Sequence, residues 1–350
     1  MNLKQLADLL ELSPTTVSRA LNGYPEVSED TRRRVLAAAE AHHYSPNLRA
    51  RSLATGRAMA IGHVIPVSTS HEIMNPVFAD FIAGASEAYG KAGYDLHLTL
   101  IPDADQARIY RELGSRRAVD GVIVHSPGRG DARIAMLRAS GLPFVVHGRA
   151  TGEAAPYSWV DVNNRRAFER AAGHLCDLGH RRIALVNGLE TLDFARRRRE
   201  GFAVALAAHD VAPDPALMSS DEMTETNGYR AARAMLDEAD PPTAFLVSSI
   251  ISGTGVRRAV EERGLVTGRD VSIVIHDDDL SYFRNSDPAG EALFTATRSS
   301  VRLAGRLAAE MLLQLIARPE SGPLTRLLEA ELIVGRTTCA PRNPQKIGSR

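Results

Sequence analysis

Two groups of side chains in this sequence have the types and spacing for specific chemistry. The first is the run Pro14-Thr15-Thr16-Val17-Ser18-Arg19-Ala20-Leu21-Asn22. Wound as a helix, it buries Val17, Ala20 and Leu21 and turns Thr15, Thr16, Ser18, Arg19 and Asn22 outward. Short polar groups with one guanidinium fork match the donor and acceptor pattern of base edges in a major groove. The second group stands just behind apolar, strand-like runs: His125-Ser126, His147-Gly148-Arg149, Ser248-Ser249 and His276-Asp277-Asp278-Asp279, with Asn75-Pro76 opening an early helix. Such donors and acceptors suit a hydroxylated ligand, because Asp and Arg can each hold two neighbouring hydroxyls. Phe78 and Trp159 offer aromatic faces for a sugar ring. Taken singly, each of these residues fits a loop or packing role equally well.

Other chemistries find less support. Arg196–Arg199 is a four-arginine run whose members point different ways on a helix, as on a solvated face. Gly253-Thr254-Gly255 lacks the third glycine of a dinucleotide loop. Asp277-Asp278-Asp279 lacks the ligand spacing of a cation site, and His71-Glu72 has no second His at a zinc-protease spacing. No nucleophile has a plausible base and orienting acid. The sequence therefore predicts no catalytic residue, no metal and no cofactor.

The elements that must position these groups fall into two blocks. Leu3, Leu6, Ala7 and Leu10 follow the spacing of a short amphipathic helix. Ser13-Pro14 is a cap followed by a first-turn proline, and Asn22-Gly23-Tyr24-Pro25 breaks the chain. Ser28, with Glu29 and Asp30 behind it, starts a third helix that buries Val35, Ala38 and Ala39. Two short helices and a brace fit a helix-turn-helix unit, and fit a small solvated bundle equally well. Behind them, strand runs at 61–65, 95–100, 121–124, 144–146, 183–186, 244–247 and 271–275 alternate with helical patterns. That alternation predicts parallel sheets covered on both faces, with ligands off the carboxyl ends of the strands.

Bulk properties agree with several domains in a reducing compartment. The chain has 350 residues, 24% of them charged, a formal net charge of zero and two cysteines, Cys176 and Cys339, far apart in sequence. Residues 1–57 carry eight Lys/Arg against six Asp/Glu, so composition alone does not single out a nucleic-acid binder. No apolar run reaches the length of a membrane span, and the opening MNLKQLADLLELSP is too polar and acidic for a signal peptide. A cytoplasmic location and no membrane partner are expected.

Residues 3–56 resemble the head of the LacI/GalR family of bacterial regulators. The match runs through Ser13–Asn22, Val27-Ser28, Thr31-Arg32, Val35, Ala38-Ala39, Tyr44-Ser45-Pro46-Asn47 and Leu53-Ala54-Thr55-Gly56. The resemblance implies that Pro14, Thr15 and Arg19 read bases, while Thr16, Ser18, Asn22 and Tyr44 mostly hold phosphates. It also implies that 47–57 is a hinge helix in the minor groove, where Leu53 wedges between base pairs beside Asn47 and Ala50. One departure is Glu11, where the family has Gly. A left-handed backbone there would cost a non-Gly residue roughly 1–2 kcal/mol.

The resemblance extends over Asn75-Pro76, Leu178–Ile183, Arg198 with Gly201-Phe202, and Asp277-Asp278. It implies an all-α helix-turn-helix head (1–46) and an α/β two-lobed periplasmic-binding-protein-like sensor and dimerisation domain (58–340), followed by a tail (341–350). Lobe one would hold about 58–160 and 295–327, and lobe two about 161–294 and 328–340. The chain would cross near Asp161, near Thr295–Arg298 and near Leu332. Of the polar residues most often used on effectors, the resemblance matches Arg198 and Asp277; with the residues behind the strands, the expected effector set is Asn75, Phe78, His125, His147, Arg149, Arg198, Met223, Ser249 and Asp277. Several positions depart from the family: Ser249-Ile250 for Asn-Asp, Asn163 for Asp, Gly148 for an often acidic residue, and Met223 for an aromatic wall. The strings His147–Arg149, Glu222–Glu225, Phe245–Ile250 and Thr297–Ser300 look most like the α-glucoside-utilisation repressor branch. The expected protein is a homodimeric regulator, a repressor of carbohydrate-utilisation genes, on near-palindromic double-stranded operator DNA. A small carbohydrate effector, with an α-glucoside as candidate, would control it. A receptor resembling periplasmic binding proteins and a sugar-acting enzyme are the alternatives.

Overall fold

The computed structural model describes residues 1–21, 23–44, 56–66, 75–101 and 106–341. Asn22, Asn47, Ala50, Leu53, His71-Glu72, most of the expected hinge and most of the expected tail lie outside the described residues. The chain divides into two compact units, Met1–Met59 and Ala60–Arg350.

The first unit contains α1 (Leu3–Leu10), α2 (Pro14–Leu21) and α3 (Glu29–Ala41). Asn2 and Gln5 form a reciprocal capping box at the start of α1. Ser13 accepts the Thr16 N–H at 3.0 Å, and Ser28 accepts the Thr31 N–H at 3.3 Å. Leu6, Ala7, Val17, Ala20, Val27, Val35 and Ala39 meet in one buried cluster, which fixes which faces of the helices turn outward. Glu11 ends α1 in the left-handed region, at φ 55° and ψ 38°, and its N–H reaches the Ala7 and Asp8 carbonyls. The turn thus keeps the backbone a glycine would favour, and the helix-end hydrogen bonds offset the strain.

The second unit is built on two six-stranded sheets. Its elements begin with β1 (Ala60–Pro66), α4 (Pro76–Ala92), β2 (Asp95–Ile101), α5 (Gln106–Ser115), β3 (Gly121–His125) and α6 (Ala132–Ser140). Next come β4 (Phe144–His147), β5 (Trp159–Val162), α7 (Asn164–Asp177), β6 (Ile183–Asn187), α8 (Asp193–Ala208) and β7 (Met218–Ser220). The series ends with α9 (Glu225–Leu236), β8 (Ala244–Val247), α10 (Ile250–Glu262), β9 (Ser272–Asp277), β10 (Thr295–Arg298), α11 (Val301–Ala317), β11 (Thr325–Leu328) and β12 (Glu331–Ile333).

The sheet orders are β2-β1-β3-β4-β5-β11 and β7-β6-β8-β9-β10-β12. All neighbours are parallel except β10 and β12. The central strands β3, β6 and β8 are buried along their whole length, as parallel strands covered on both faces must be. The same order occurs twice, so each lobe has its own switch point, between β1 and β3 and between β6 and β8.

The chain passes between the sheets three times: at Asn163, at Ser299-Ser300 and at Glu329-Ala330. The second and third passes differ slightly from expectation. Thr295–Arg298 and Leu332 are themselves strand residues of the second sheet, paired with each other antiparallel, so the passes fall outside them.

After the second pass, α11 packs on α4 backbone to backbone. A Cβ on Gly84 would collide with the Arg302 carbonyl, and one on Gly305 with the Phe81 carbonyl. Both collisions are with helix backbone, which cannot swing aside as a flexible side chain can. Gly84→Ala is therefore expected to destabilise the second unit by about 1–3 kcal/mol. A denaturant midpoint equal to that of the unmodified protein would contradict this crossing.

Candidate nucleic-acid face and ligand cavity

On the head, Pro14, Thr15 and Arg19 are exposed and lie on the face of α2 opposite buried Val17 and Ala20. The Arg19 side chain has no hydrogen bond or ion pair among the described residues, whereas Arg32 and Arg33 are tied to Glu29 and Asp30 on their own helix. Thr16 and Ser18 are half-buried. The Thr16 hydroxyl sits 2.8 Å from Ser13 Oγ, so it helps cap α2. Tyr44 packs against the head core, and burial raises its phenol pKa.

In the second unit, the carboxyl ends of both sheets converge on one cavity of about 330 Å³. The first lobe supplies Asn75, Phe78, Ser126, His147, Arg149 and Asp161; the second supplies Asn164, Phe194, Arg198, Met223, His276 and Asp278. Leu189, Leu192, Ile251, Val301 and Ala304 add apolar wall. Asn75 caps α4 by accepting the Val77 N–H at 3.0 Å, which seats Phe78 at the mouth of its lobe.

A buried polar chain crosses the floor from lobe to lobe. Arg149 Nε donates to Asp161 Oδ2 at 2.7 Å, and Asn164 Nδ2 donates to Asp161 Oδ1 at 3.3 Å. Arg198 Nε then donates to Asn164 Oδ1 at 2.8 Å, and its Nη1 donates to the Ser248 carbonyl at 2.7 Å. The Arg198 guanidinium lies between the Phe168 and Phe194 rings, with centroids at 5.1 and 5.0 Å. Burial lowers its pKa to about 10, against the opposing pull of Asp278 and Asp161, so it stays charged. Burial also raises the Asp161 pKa, although Arg149 opposes it. Asp278 is buried too, which works to raise its pKa. The His276 ring N–H and the charge of Arg198 outweigh that and hold it below the ordinary carboxylate range. His276 Nδ1 faces Thr297 Oγ1 at 3.0 Å, leaving Nε2 to face Asp278 at 3.5 Å.

The rim is closed by contacts between lobes. The Asp193 N–H donates to the Pro127 carbonyl at 3.0 Å, the Asp193 carboxylate accepts the Thr151 N–H, and Arg197 donates to Thr151 Oγ1 at 3.0 Å.

Six of the nine residues expected at an effector line this cavity: Asn75, Phe78, His147, Arg149, Arg198 and Met223. Three do not. His125 is fully buried behind His147 and hydrogen-bonded to other histidines. Ser249 caps α10, accepting the Ser252 N–H at 3.1 Å. Asp277 ends β9, and its carboxylate accepts the Asp279 N–H at 2.9 Å, while the next residue, Asp278, turns into the cavity. Trp159 lies under the Arg149 guanidinium, 5.0 Å from its centroid, and does not line the cavity. Sequence reasoning missed Asp161, Asn164, Phe194 and the choice of Asp278 over its neighbours. Asp161 and Asn164 flank the first pass between sheets, and that position was their available signal.

Residues 2–47 match the family of bacterial regulatory proteins known as the lacI family, and residues 172–338 match the periplasmic binding protein-like domain. The chain is 44% identical over 340 residues to the HTH-type transcriptional regulator AglR of Rhizobium meliloti, covering 97% of this chain and 94% of the relative. It is similar in fold to the transcriptional regulator CelR in complex with cellobiose, with a TM-score of 0.71, 28% identity and coverage of 96% and 99% of the two chains. It is also similar to the lac repressor dimer bound to operator and the anti-inducer ONPF, with a TM-score of 0.80, 25% identity and coverage of 97% and 99%. A helix-turn-helix head carrying an α/β sensor defines a DNA-binding transcriptional regulator. The chain belongs to the lacI family of these proteins.

The cavity also carries a pH signature. Burial lowers the His63 pKa to about 3 and the His147 pKa to about 4, because it disfavours the imidazolium. Unfolded histidines take up protons near pH 6.5, so below that the unfolded chain binds more protons than the folded one. The stability these neutral histidines contribute is present above about pH 6.5 and is lost as pH falls toward 4. The slope is up to about 1.4 kcal/mol per pH unit for each histidine. Denaturant midpoints that do not change between pH 7 and 5 would exclude neutral, buried rings here.

Proposed function

We propose that this chain represses carbohydrate-utilisation genes, and that a small sugar in the interlobe cavity controls its operator affinity. The observation that carries the reading is the lining itself. Ionised Asp278, charged Arg198 and Arg149, and the amides of Asn75 and Asn164 stand beside Phe78 and Phe194 in a space of about 330 Å³. Paired charged donors and acceptors beside apolar faces suit a ring with polar edges and apolar faces. The resemblance to the α-glucoside-utilisation branch makes an α-glucoside the candidate effector.

In this reading, Pro14, Thr15 and Arg19 read bases in the major groove. Thr16, Ser18, Asn22 and Tyr44 hold phosphates, and Asn47, Ala50 and Leu53 work in the minor groove. The head is 1–46, the hinge 47–57 and the sensor 58–340. Two copies pair in the cytoplasm on a near-palindromic site. The effector changes how the lobes close, and by linkage DNA weakens the effector as much as the effector weakens DNA. So read, the chain is a regulator rather than an enzyme, in keeping with its membership of a family of transcription regulators.

Two variants test the halves separately. Arg19→Ala is expected to lose roughly 1–3 kcal/mol of discrimination between operator and altered operator. If affinity instead drops equally on every duplex in a mobility-shift series, Arg19 holds phosphate and the base-reading role is wrong. Asp278→Asn is expected to leave operator binding intact and to abolish the response to sugar. In the unmodified protein, an effector at 100 times its Kd raises stability by about 2.7 kcal/mol. A thermal-shift screen over mono- and disaccharides reads that gain, and an Asp278→Asn variant that keeps it would remove Asp278 from the site.

A further inference from the structure

Behind the cavity three buried rings run in line to His147 on its wall. Tyr89 on α4 places its hydroxyl 2.9 Å from His63 Nε2 on β1. His63 Nδ1 lies 3.2 Å from His125 Nε2 on β3. His125 Nδ1 lies 3.4 Å from His147 Nδ1 at the end of β4. His147 is the member that lines the cavity, its ring stacked on Phe81 at 4.2 Å between centroids. Tyr89, His63 and His125 are essentially inaccessible to solvent. We propose that this chain fixes the tautomer of His147, so that it meets the ligand only as a hydrogen-bond donor, through Nε2–H. The consequence for the ligand rests on the effector reading of the cavity; the tautomer assignment does not.

Three neutral imidazoles carry one N–H each, so a continuous chain can run in only two directions. In the first, the Tyr89 O–H donates to His63 Nε2, His63 Nδ1–H to His125 Nε2, and His125 Nδ1–H to His147 Nδ1. The His147 proton then sits on Nε2, the nitrogen left for the cavity. In the second, every proton moves to the other nitrogen, and His63 Nε2–H donates to the Tyr89 oxygen. The Tyr89 O–H would then be buried with no acceptor among the described residues, since His63 is the partner its hydroxyl has there. Buried donors are almost always satisfied, so the first direction is the one the fold supports. The surroundings agree, because Asp278 lines the same cavity as His147 and is ionised. Near a carboxylate a donor is favoured over an acceptor. A sugar hydroxyl placed between them can accept from His147 on one lobe and donate to Asp278 on the other. Tyr89 is thus a positioning residue for specificity, acting through two other side chains.

The test uses the full chain labelled with 15N-histidine, at neutral pH and without ligand. Two-bond 1H–15N correlations report which ring nitrogen carries the proton, and His→Gln variants assign the signals. The expected pattern is Nε2–H for His147 and Nδ1–H for both His125 and His63. His147 protonated on Nδ1 would overturn the proposal. Tyr89→Phe removes only the anchoring hydroxyl and is expected to shift at least a tenth of the His147 population to the Nδ1–H form. A folded Tyr89→Phe protein whose His147 stays wholly Nε2–H would show that the phenol does not orient the chain, which also overturns it. If that variant fails to fold, the unmodified protein's spectrum still decides. Maltose added to the same sample separates the two readings. Absence of any maltose effect counts against the α-glucoside assignment, while the tautomers count only for or against the ring chain.

Discussion

A guanidinium taken out of water must be fully partnered, and Arg198 imposes that requirement on the second unit. It is 5% exposed. Its Nε needs Asn164, its Nη1 needs the Ser248 carbonyl, and its two faces need Phe168 and Phe194. These partners come from α7, the end of β8 and α8, so the charge can be buried only if the second sheet is complete. Asn164 in turn donates to Asp161, which belongs to the first sheet. One buried cation therefore couples the packing of one lobe to the position of the other. A ligand that competes for Asn164 or Asp278 has a direct route to the lobe contact.

The repeated strand order explains why such a site can exist. Each parallel sheet directs its carboxyl ends the same way, and each has a switch point where neighbouring loops diverge. Facing two such sheets brings both sets of loops into one space, at the price of three strand-free passes between them. The passes are short, and their flanking residues are drawn into the site: Asp161 and Asn164 at the first, Ser299 and Val301 at the second. Residues at the passes link the two sheets and also touch the cavity, so a ligand there contacts the segments that join the lobes.

How much of this was legible in the sequence varies by element. The head was, because caps, a first-turn proline and apolar spacing all point to the same three helices. Glu11 adopts the left-handed backbone that its position demanded in spite of its side chain. The strands with apolar runs were also legible, down to the four residues of β4 and β8. Five short strands, β5, β7, β10, β11 and β12, were not, since their three or four residues mix polar and apolar side chains. The 17-residue helix α11 was missed as well. Apolar residues spread round much of its circumference because it packs on α4 and on the sheet, which blurs the 3.6 period. Within the site, the choice among the three aspartates was not legible. Asp277 and Asp278 are one residue apart, and in or beside a strand that step exchanges one face for the other. No spacing argument could decide between them without the end of β9 being fixed.

The line of histidines follows from the same geometry. His63, His125 and His147 stand on β1, β3 and β4, three adjacent strands of one parallel sheet. The register pairs His63 with Ile123 and His125 with His147, so the rings step across the strands toward the cavity. An apolar core would tolerate three phenylalanine-sized hydrocarbons at these positions more easily than three imidazoles, because each imidazole must find both a donor and an acceptor. Their arrangement as a mutually hydrogen-bonded line, ending on a phenol at one side and the cavity at the other, is hard to account for by packing alone. A line of hydrogen bonds with one direction gives the cavity a fixed polarity at a point where a lone surface histidine would offer either tautomer. Such a wall favours a ligand atom that can accept a hydrogen bond over one that can only donate, without any charge at that position.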